Sequence, residues 1–227
     1  MLSADTGRIA GEMSREAPDR ARLQTILRDG TAVRFRPIRP DDKHWLQDGI
    51  RQMSPQSRYR RFFSPVAELN EDQLRYFTEV DQVDHVAWVA TLEDDRVIGV
   101  ARFVRLPDDT QAAEAAVTVV DAYQHRGVGR ALLLVLTEDA IKRGIKRFTM
   151  FVLGENQQML GLLHDVGAVL DGIHDGVNDF HVELPANASE LDQTAAPRVL
   201  RVAAEGNLRG EVAPGMLRTR FLVGKHR

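Results

Sequence analysis

The chain has 227 residues, a net charge of −3 and 43% hydrophobic residues, a composition typical of a soluble globular protein with a sizeable core. The near-neutral charge argues against a protein that binds nucleic acid by charge, because such proteins are strongly basic. The absence of cysteine excludes disulfides, thiolate nucleophiles and cysteine-containing zinc sites. The N-terminus lacks the apolar segment of a signal peptide, and no apolar run approaches the roughly 20 residues that span a bilayer. We therefore expect a cytoplasmic protein that binds neither nucleic acid nor membrane.

Composition and hydrophobic pattern divide the chain into three parts: an N-terminal arm over residues 1–30, a patterned domain over 31–185, and a basic tail over 186–227. The arm is compatible with a short helix over Arg20–Arg28. The tail holds four acidic and seven basic residues. Because the arm is neutral, the central domain carries the excess of negative charge.

Within the domain, alternation and capping residues predict strands and helices in a mixed order. Ser54, followed by proline, and Asn70 are predicted helix N-caps. The predicted helices cover Asp41 to about Met53, Arg58–Phe63, Glu71–Phe77, Val128–Arg143 and Asn156–Asp165. The predicted strands cover Thr31–Ile38, His85–Leu92, Arg96–Arg105, Gln111–Val120, Phe148–Leu153, Ala168–Ile173 and Val177–Leu184. Three of these strands follow one another as a meander. The order indicates a mixed α/β (α+β) layered domain rather than a regular βαβ repeat.

The strongest local motif is the sequence QHRGVGRA, which follows a strand and opens a helix. Its residues are Gln124, His125, Arg126, Gly127, Val128, Gly129, Arg130 and Ala131. The two glycines allow a tight turn, and the first N–H groups of a helix have no partner within it. Together with the helix dipole, these groups form a site for phosphate or pyrophosphate. Either arginine could add a charge-assisted contact.

Neither of two common nucleotide loops fits this motif. A dinucleotide fingerprint needs glycine or alanine where Leu132 stands, and a P-loop needs a Gly-Lys-Ser/Thr sequence that is absent. The simplest alternative is an ordinary glycine-rich turn before a core helix.

The pattern Gln-x-x-Gly-x-Gly between a strand and a helix resembles the acetyl-CoA pyrophosphate loop of the GNAT acetyltransferase superfamily. The order of elements over residues 31–185 resembles that fold as well. The segments IRPDD, SPQSRYRRFF, DHVAWVA, ARFVR, AEAAVTVVDAYQHRGVG and GENQQM resemble the bacterial Pat-type protein lysine acetyltransferases. The resemblance implies a central mixed, mostly antiparallel sheet flanked by helices, and acetyl-CoA as the acetyl donor.

Glu114 is the predicted general base. Period-2 alternation places Glu114, Ala116, Thr118 and Val120 on one face of the strand that leads into the loop. Apolar neighbours are expected to desolvate this carboxylate, which favours proton transfer near neutral pH. The resemblance implies the same role. The alternative is a surface glutamate near a strand start.

The resemblance also implies that Val119 and Val120 contact the pantetheine arm of CoA through their backbone. It further implies that a bulge separates their strand from the next and supplies an N–H to the thioester oxygen. Asn156 is predicted to cap a helix, and the resemblance adds a contact with CoA. Many GNAT enzymes carry a tyrosine general acid where this chain has Leu163; Tyr123 and His164 are the substitutes the sequence offers.

The sequence leaves the acceptor and several partners open. The basic segment Arg58–Arg61 is interpreted mainly as a solvated helix face, with Tyr59 or Phe62 inward; contact with CoA phosphates or an acidic protein is the alternative. The histidines lack metal-ligand spacing, so no metal site is predicted.

The leading hypothesis is acetylation of protein lysines. The alternatives are a small amine acceptor and a non-catalytic CoA-binding module. A homodimer contact is compatible with the sequence.

Overall fold

A computed structural model describes residues 23–187 except 28 and 166. The basic tail and most of the N-terminal arm therefore lie outside the described residues. The strands are β1 (Leu23–Ile26), β2 (Ala32–Pro37), β3 (His85–Thr91), β4 (Val97–Arg105), β5 (Ala112–Val119), β6 (Arg147–Leu153), β7 (Val169–His174) and β8 (Val177–Glu183). The helices are α1 (Lys43–Gln52), α2 (Pro55–Phe62), α3 (Glu71–Thr78), α4 (Val128–Lys142) and α5 (Gln157–Asp165).

All these strands join one mixed sheet in the order β1-β2-β3-β4-β5-β6-β8-β7. Strands β5 and β6 pair in parallel, and the other neighbours pair antiparallel. The predicted mixed, mostly antiparallel sheet with flanking helices is confirmed. The helix considered over Arg20–Arg28 is wrong for Leu23–Ile26, which pairs with β2 as an edge strand. The alternation in LQTI suits a strand, and pairing with β2 overrides helix propensity.

The predicted caps form where the sequence places them. Ser57 N–H donates to the Ser54 hydroxyl oxygen at 3.1 Å, and proline follows as the first residue of α2. Gln73 N–H donates to Asn70 Oδ1 at 2.9 Å at the start of α3. Each cap satisfies an N–H that has no partner within its helix. Asp175 and Gly176 have the positive φ values of a tight hairpin turn between β7 and β8.

Helices cover both faces of the sheet. Helix α4 packs with the main apolar core, which includes alternate β5 side chains from Ala113 to Val119. Helices α1 and α3 and the end of α2 cover the opposite face through a second apolar cluster that includes Ile50, Phe62 and Phe77. The alternate β5 side chains therefore separate the α4 face from the face that holds the candidate site.

A buried ion pair fixes the start of α1 against the sheet. Arg36 on β2 donates from both terminal nitrogens to Asp42, each at 2.7 Å, and Arg39 N–H donates to Asp42 Oδ2 at 2.8 Å. The Asp42 side chain is buried. Three donors on one carboxylate compensate for its removal from water.

We expect Asp42→Asn to lower the free energy of unfolding by about 3 kcal/mol, because it leaves the half-buried Arg36 guanidinium without a compensating charge. Urea denaturation would measure the change. Asp41→Asn is the matched control, because Asp41 is exposed in the same turn and should change stability by less than about 0.5 kcal/mol. Equal effects of the two substitutions would contradict this role for Asp42.

Candidate active site

The sheet opens between β5 and β6. Ala112, Ala113 and Glu114 lie opposite Arg147, Phe148 and Thr149 in parallel register. Beyond Glu114, no further β5–β6 pair occurs in the described residues. Strand β5 remains paired with β4 along its length, whereas β6 remains paired with β8. The two halves of the sheet therefore diverge from Glu114 onwards and leave a gap beside the second half of β5.

Two hydrogen bonds fix which backbone groups face this gap. Val120 N–H donates to the Ile98 carbonyl at 2.9 Å, and Leu106 N–H donates to the Ala112 carbonyl at 2.9 Å. Even-numbered residues of β5 thus bond to β4, and by alternation the backbone groups of Ala115, Val117 and Val119 point towards the gap. The β4–β5 register is unbroken between Val119 and Ala113, so the gap forms without the expected register-shifting bulge.

Val119 and Val120 therefore differ in whether their backbone groups face the gap. Val119 has its backbone turned to the gap and its side chain in the α4 core. Both backbone groups of Val120 are already bonded, the N–H to Ile98 and the carbonyl to Tyr123 N–H at 2.8 Å. Val120 thus offers its side chain rather than the backbone contact that the resemblance implied.

The glycine-rich loop lies at the end of β5, where the gap is open. Gly127 has a φ of 88° and His125 a φ of 60°, both in the left-handed region. The bond from Ala131 N–H to the Gly127 carbonyl, 3.1 Å, begins the α4 ladder. Helix geometry leaves the N–H groups that precede Ala131 without an acceptor inside α4, and the helix dipole makes this end positive. Val128, Gly129 and Arg130 are buried, whereas Arg126 is exposed and paired with Asp29.

Gln124 ties the loop to β5. Its side-chain nitrogen donates to the Val119 carbonyl at 2.9 Å and to Asp121 Oδ1 at 3.2 Å. The other Asp121 oxygen accepts from Ser54 N–H at 3.1 Å. The loop, the end of β5 and the start of α2 are thus joined by one hydrogen-bonded chain, in which the Gln124 side chain acts as a brace.

A pocket lies on the face of β5 away from α4. It encloses about 520 Å³, counting the solvent at its mouth, and most of its lining is apolar. Strand β5 and the residue after it contribute Ala116, Thr118 and Val120, which confirms the alternation expected from the sequence. The remaining lining residues come from α1 to α3 and β4: Trp45, Leu46, Gly49, Ile50, Met53, Arg61, Phe62, Leu69, Phe77, Val97, Gly99, Val100 and Arg102.

Glu114 stands at the point where the gap begins. It lies opposite Val104 on β4 and Thr149 on β6, and it is half-buried. Alternation places its side chain on the same face as Ala116 and Thr118. Burial is the main cause of the lowered pKa of Arg61 and of the raised pKa of Tyr76, and the negative charge of Glu114 also acts on both groups, which places all three within electrostatic reach of one another.

The structure corrects the interpretation of Arg58–Arg61 as a solvated face. Arg61 is only 5% exposed and lines the pocket, whereas Tyr59 is exposed. Ser57, Arg61 and Phe62 form the inward face of α2, as positions i, i+4 and i+5 must. Arg58 donates to the Met53 carbonyl at 2.7 Å and closes the end of α1. The spacing alone permitted two orientations of the helix, and packing of Phe62 selects the one that buries Arg61.

Arg102 is a second buried arginine that the sequence analysis did not single out. It is 3% exposed, donates to the Phe77 carbonyl at 3.2 Å and lies 3.0 Å from His85 Nε2. Desolvation lowers the pKa of Arg102 to about 9 and that of Arg61 to about 10. Burial, followed by the charge of Arg102, lowers the pKa of His85 to about 3, so its ring is neutral and Nε2 accepts the hydrogen bond from Arg102.

The other predicted residues have identifiable positions. Asn156 caps α5, since Met159 N–H donates to its Oδ1 at 3.3 Å. Leu163 is 2% exposed in the α4 core and supplies no acid. Tyr123 packs against that core beneath Arg126, and His164 is exposed on α5. Among the described residues, no group of three or more acidic, histidine or cysteine side chains could hold a metal, and no helix is long and apolar enough to cross a bilayer.

Residues 52–168 match the family model described as the acetyltransferase (GNAT) family. The chain belongs to the GNAT family. Its members are acetyltransferases that use acetyl-CoA as the acetyl donor. A structural neighbour, the acetyltransferase yncA of Salmonella typhimurium, was solved with its cofactor acetyl-CoA; it shares the fold at 17% identity and a TM-score of 0.54, over 67% of this chain and 94% of that one.

Two relatives are more similar in sequence to this GNAT chain. Acetyltransferase Pat of Mycolicibacterium smegmatis is 38% identical over 144 residues, 63% of this chain but 43% of that protein. The chain thus matches less than half of that relative's length. The GNAT domain of S. lividans PAT is 35% identical, with a TM-score of 0.68, over 74% of this chain and all of that domain.

The half-buried His85 gives the GNAT domain a pH-dependent stability that can be measured. Its pKa is about 3 when folded and 6.5 when exposed, so the unfolded chain gains a proton first as the pH falls below 6.5. This difference should remove about 2 kcal/mol of stability between pH 7 and pH 5.

Comparison of variants isolates this contribution. His85→Gln keeps an acceptor for Arg102 but cannot titrate, so it should lose about 2 kcal/mol less than wild type between pH 7 and pH 5 in chemical denaturation. His44→Gln, at an exposed position of α1, should behave like wild type. Parallel pH profiles for all three proteins would contradict the neutral state of His85 in the folded domain.

Proposed function

We propose that this chain transfers the acetyl group of acetyl-CoA directly to an amine, with Glu114 as general base and a protein lysine side chain as acceptor. One observation carries the proposal: Glu114 stands where the β5–β6 pairing ends and on the strand face that lines the pocket. The gap and the pocket thus meet beside one carboxylate, as transfer between two bound reactants requires. The absence of cysteine fits direct transfer without an acyl-cysteine intermediate.

In this proposal, the pyrophosphate of acetyl-CoA binds the loop at the start of α4. The N–H groups of its residues donate, and exposed Arg126 exchanges Asp29 for a phosphate. The contributing loop residues are Gln124, His125, Arg126, Gly127, Val128, Gly129 and Arg130. Gln124 acts mainly by holding the loop against Val119.

The pantetheine arm runs along the gap, where it takes the place of β6 beside the β5 backbone at Val117 and Val119. The Val120 side chain borders the pocket at the loop end of β5. Asn156 follows β6, and its cap uses Oδ1. Its amide nitrogen is the group we assign to the CoA arm.

Glu114 removes a proton from the acceptor ammonium, whose pKa is about 10.4 for a free lysine. The resulting amine attacks the thioester carbonyl, whose oxygen gains negative charge and accepts a hydrogen bond from a gap-facing N–H of β5. The carbon–sulfur bond then breaks, and the nitrogen releases its second proton to water or to the departing sulfur to leave a neutral amide. Leu163 offers no proton, and a thiol pKa of about 8.5 allows CoA to leave as thiolate.

The protein-lysine acceptor is supported by similarity to Pat and by the apolar walls of the pocket. Trp45, Leu46 and Ile50 on α1 can cover the aliphatic stem of a lysine while its amine reaches Glu114. A second candidate acceptor is a small amine. It is favoured by the two arginines on the pocket wall, because their positive charge has no partner on the aliphatic stem of a lysine.

We expect Glu114→Gln to reduce acetyl transfer at least 100-fold at pH 7 without weakening acetyl-CoA binding, because glutamine cannot take the proton. Release of the CoA thiol and mass spectrometry of lysine peptides would measure transfer, and calorimetry would measure binding. Glu138→Gln, at an exposed position of α4, is the control and should retain full activity. Unchanged transfer by Glu114→Gln would exclude the base role.

We expect Gly127→Ala to weaken acetyl-CoA binding at least 10-fold, because alanine disfavours the φ of 88° that shapes the loop. Gly144→Ala is a matched control. Gly144 follows α4, has a φ of 77° and, like Gly127, has open space around the added methyl group. Both variants should lose about 1 kcal/mol of stability, but the Gly144 variant should bind acetyl-CoA normally. Equal affinities would contradict this placement of the pyrophosphate.

A further inference from the structure

Arg61 presents a guanidinium to the pocket that the described part of the chain does not satisfy. The residue is only 5% exposed and lines the pocket, and no hydrogen bond joins its guanidinium to another described residue, although the charge of Glu114 acts on it. Its contacts are with aromatic rings: its Cζ lies 5.0 Å from the Phe62 ring centroid and 5.8 Å from that of Phe77. A guanidinium has five donors, and burial without acceptors is costly. This cost indicates that the site is built for an anionic group.

Arg102 adds a second guanidinium to the same wall in a fixed orientation. One terminal nitrogen is held by neutral His85 and the other by the Phe77 carbonyl. Its Cζ stands 4.6 Å from the Phe77 ring centroid, so Phe77 contacts both arginines. The mutual repulsion of the two cations contributes to the lowered pKa of Arg102. Packing and hydrogen bonds therefore hold two like charges together next to an open pocket.

We propose that Arg61 and Arg102 bind the carboxylate of a small acceptor whose apolar body fills the pocket, in other words an amino acid with an apolar side chain. Guanidinium groups recognise carboxylates through paired hydrogen bonds. Trp45, Leu46 and Met53 supply the apolar surface for the side chain. The α-amine then faces Glu114, the acid whose charge acts on Arg61.

Charge decides between this acceptor and a lysine side chain. Two guanidinium charges on the wall disfavour an ammonium group that carries no anion of its own. A zwitterionic amino acid brings a carboxylate to the arginines and its amine to the base. The inference rests on the proposed transfer at Glu114 and specifies the second candidate acceptor given there, the small amine, as an amino acid.

Three probes with nearly the same apolar body separate the two charges: L-leucine, 4-methylpentanoate, which lacks the amine, and 3-methylbutylamine, which lacks the carboxylate. Calorimetry with the full chain loaded with CoA would measure their affinities. We expect the two carboxylates, leucine and 4-methylpentanoate, to bind at least 10-fold more tightly than the amine.

Arg61→Gln and Arg102→Gln should each weaken the binding of both carboxylates at least 10-fold. Arg61→Lys should weaken them less, because it keeps the charge but not the paired donors.

Arg51→Gln is the control, since Arg51 is exposed on α1 and paired with Glu68; it should change no affinity. Normal acetyl-CoA binding would show that each variant is folded. Equal binding of leucine and 3-methylbutylamine, equal binding by wild type and both glutamine variants, or no carboxylate binding at millimolar concentration would overturn the proposal.

Transfer assays distinguish this failure from failure of the proposed function. Acetylation of lysine peptides without carboxylate binding would overturn the inference and leave acetyl transfer intact. Leucine binding without release of CoA thiol would support the subsite and contradict transfer at Glu114. Acetylation of leucine by wild type, with at least a 10-fold lower kcat/KM for both Arg61→Gln and Arg102→Gln, supports both.

Discussion

The separation of β5 from β6 at Glu114 is the constraint on which the rest of the site depends. Strand β5 keeps its hydrogen bonds to β4, and β6 keeps its bonds to β8, so the backbone of β5 from Ala115 to Val119 faces a gap. In a continuous sheet these groups would be used for pairing. Here they are available for a ligand with amide groups of its own, except for the Val119 carbonyl that Gln124 occupies, and the loop that precedes α4 stands at the open end. Alternation along the same strand places Glu114 on the face whose Ala116 and Thr118 line the pocket. In the proposed mechanism, one strand thus serves the donor with its backbone and the acceptor with its side chains.

The electrostatics of the pocket follow from the burial of two arginines on the face of the sheet that α1 to α3 cover. Helices α1 to α3 cover the sheet and remove Arg61 and Arg102 from water. Neutral His85 and the Phe77 carbonyl hold Arg102 in place, while Arg61 is held by aromatic packing. If Glu114 is the base, as we propose, the buried cations near it bear on two steps of the transfer: recognition of the acceptor and removal of its proton. The contact between Arg102 and His85 therefore influences both the stability of the domain below pH 6.5 and, in our proposal, the choice of acceptor.

Much of the fold could be predicted from the sequence because its signals are local. Alternation identified the central strands, Ser54 and Asn70 identified helix starts, and the glycines at 127 and 129 identified the loop. The gap could not be predicted, since it depends on which strands pair over long sequence distances. Arg61 was assigned to the surface because a single short helix does not show which face is covered. Arg102 was overlooked because an arginine within an apolar strand carries no motif. Its burial depends on the helices that pack over it.

A crystal structure with bound acetyl-CoA tests the central claim most directly, because it locates the acetyl group relative to the gap and Glu114. The account predicts pyrophosphate at the start of α4, pantetheine between β5 and β6 with hydrogen bonds to the backbone of Val117 and Val119, and an acetyl carbonyl that opens to the pocket beside Thr118. It predicts the Glu114 carboxylate within reach of an amine at that carbon, directly or through one water. An acetyl group outside the gap, or one separated from Glu114 by the core that packs on α4, would contradict it.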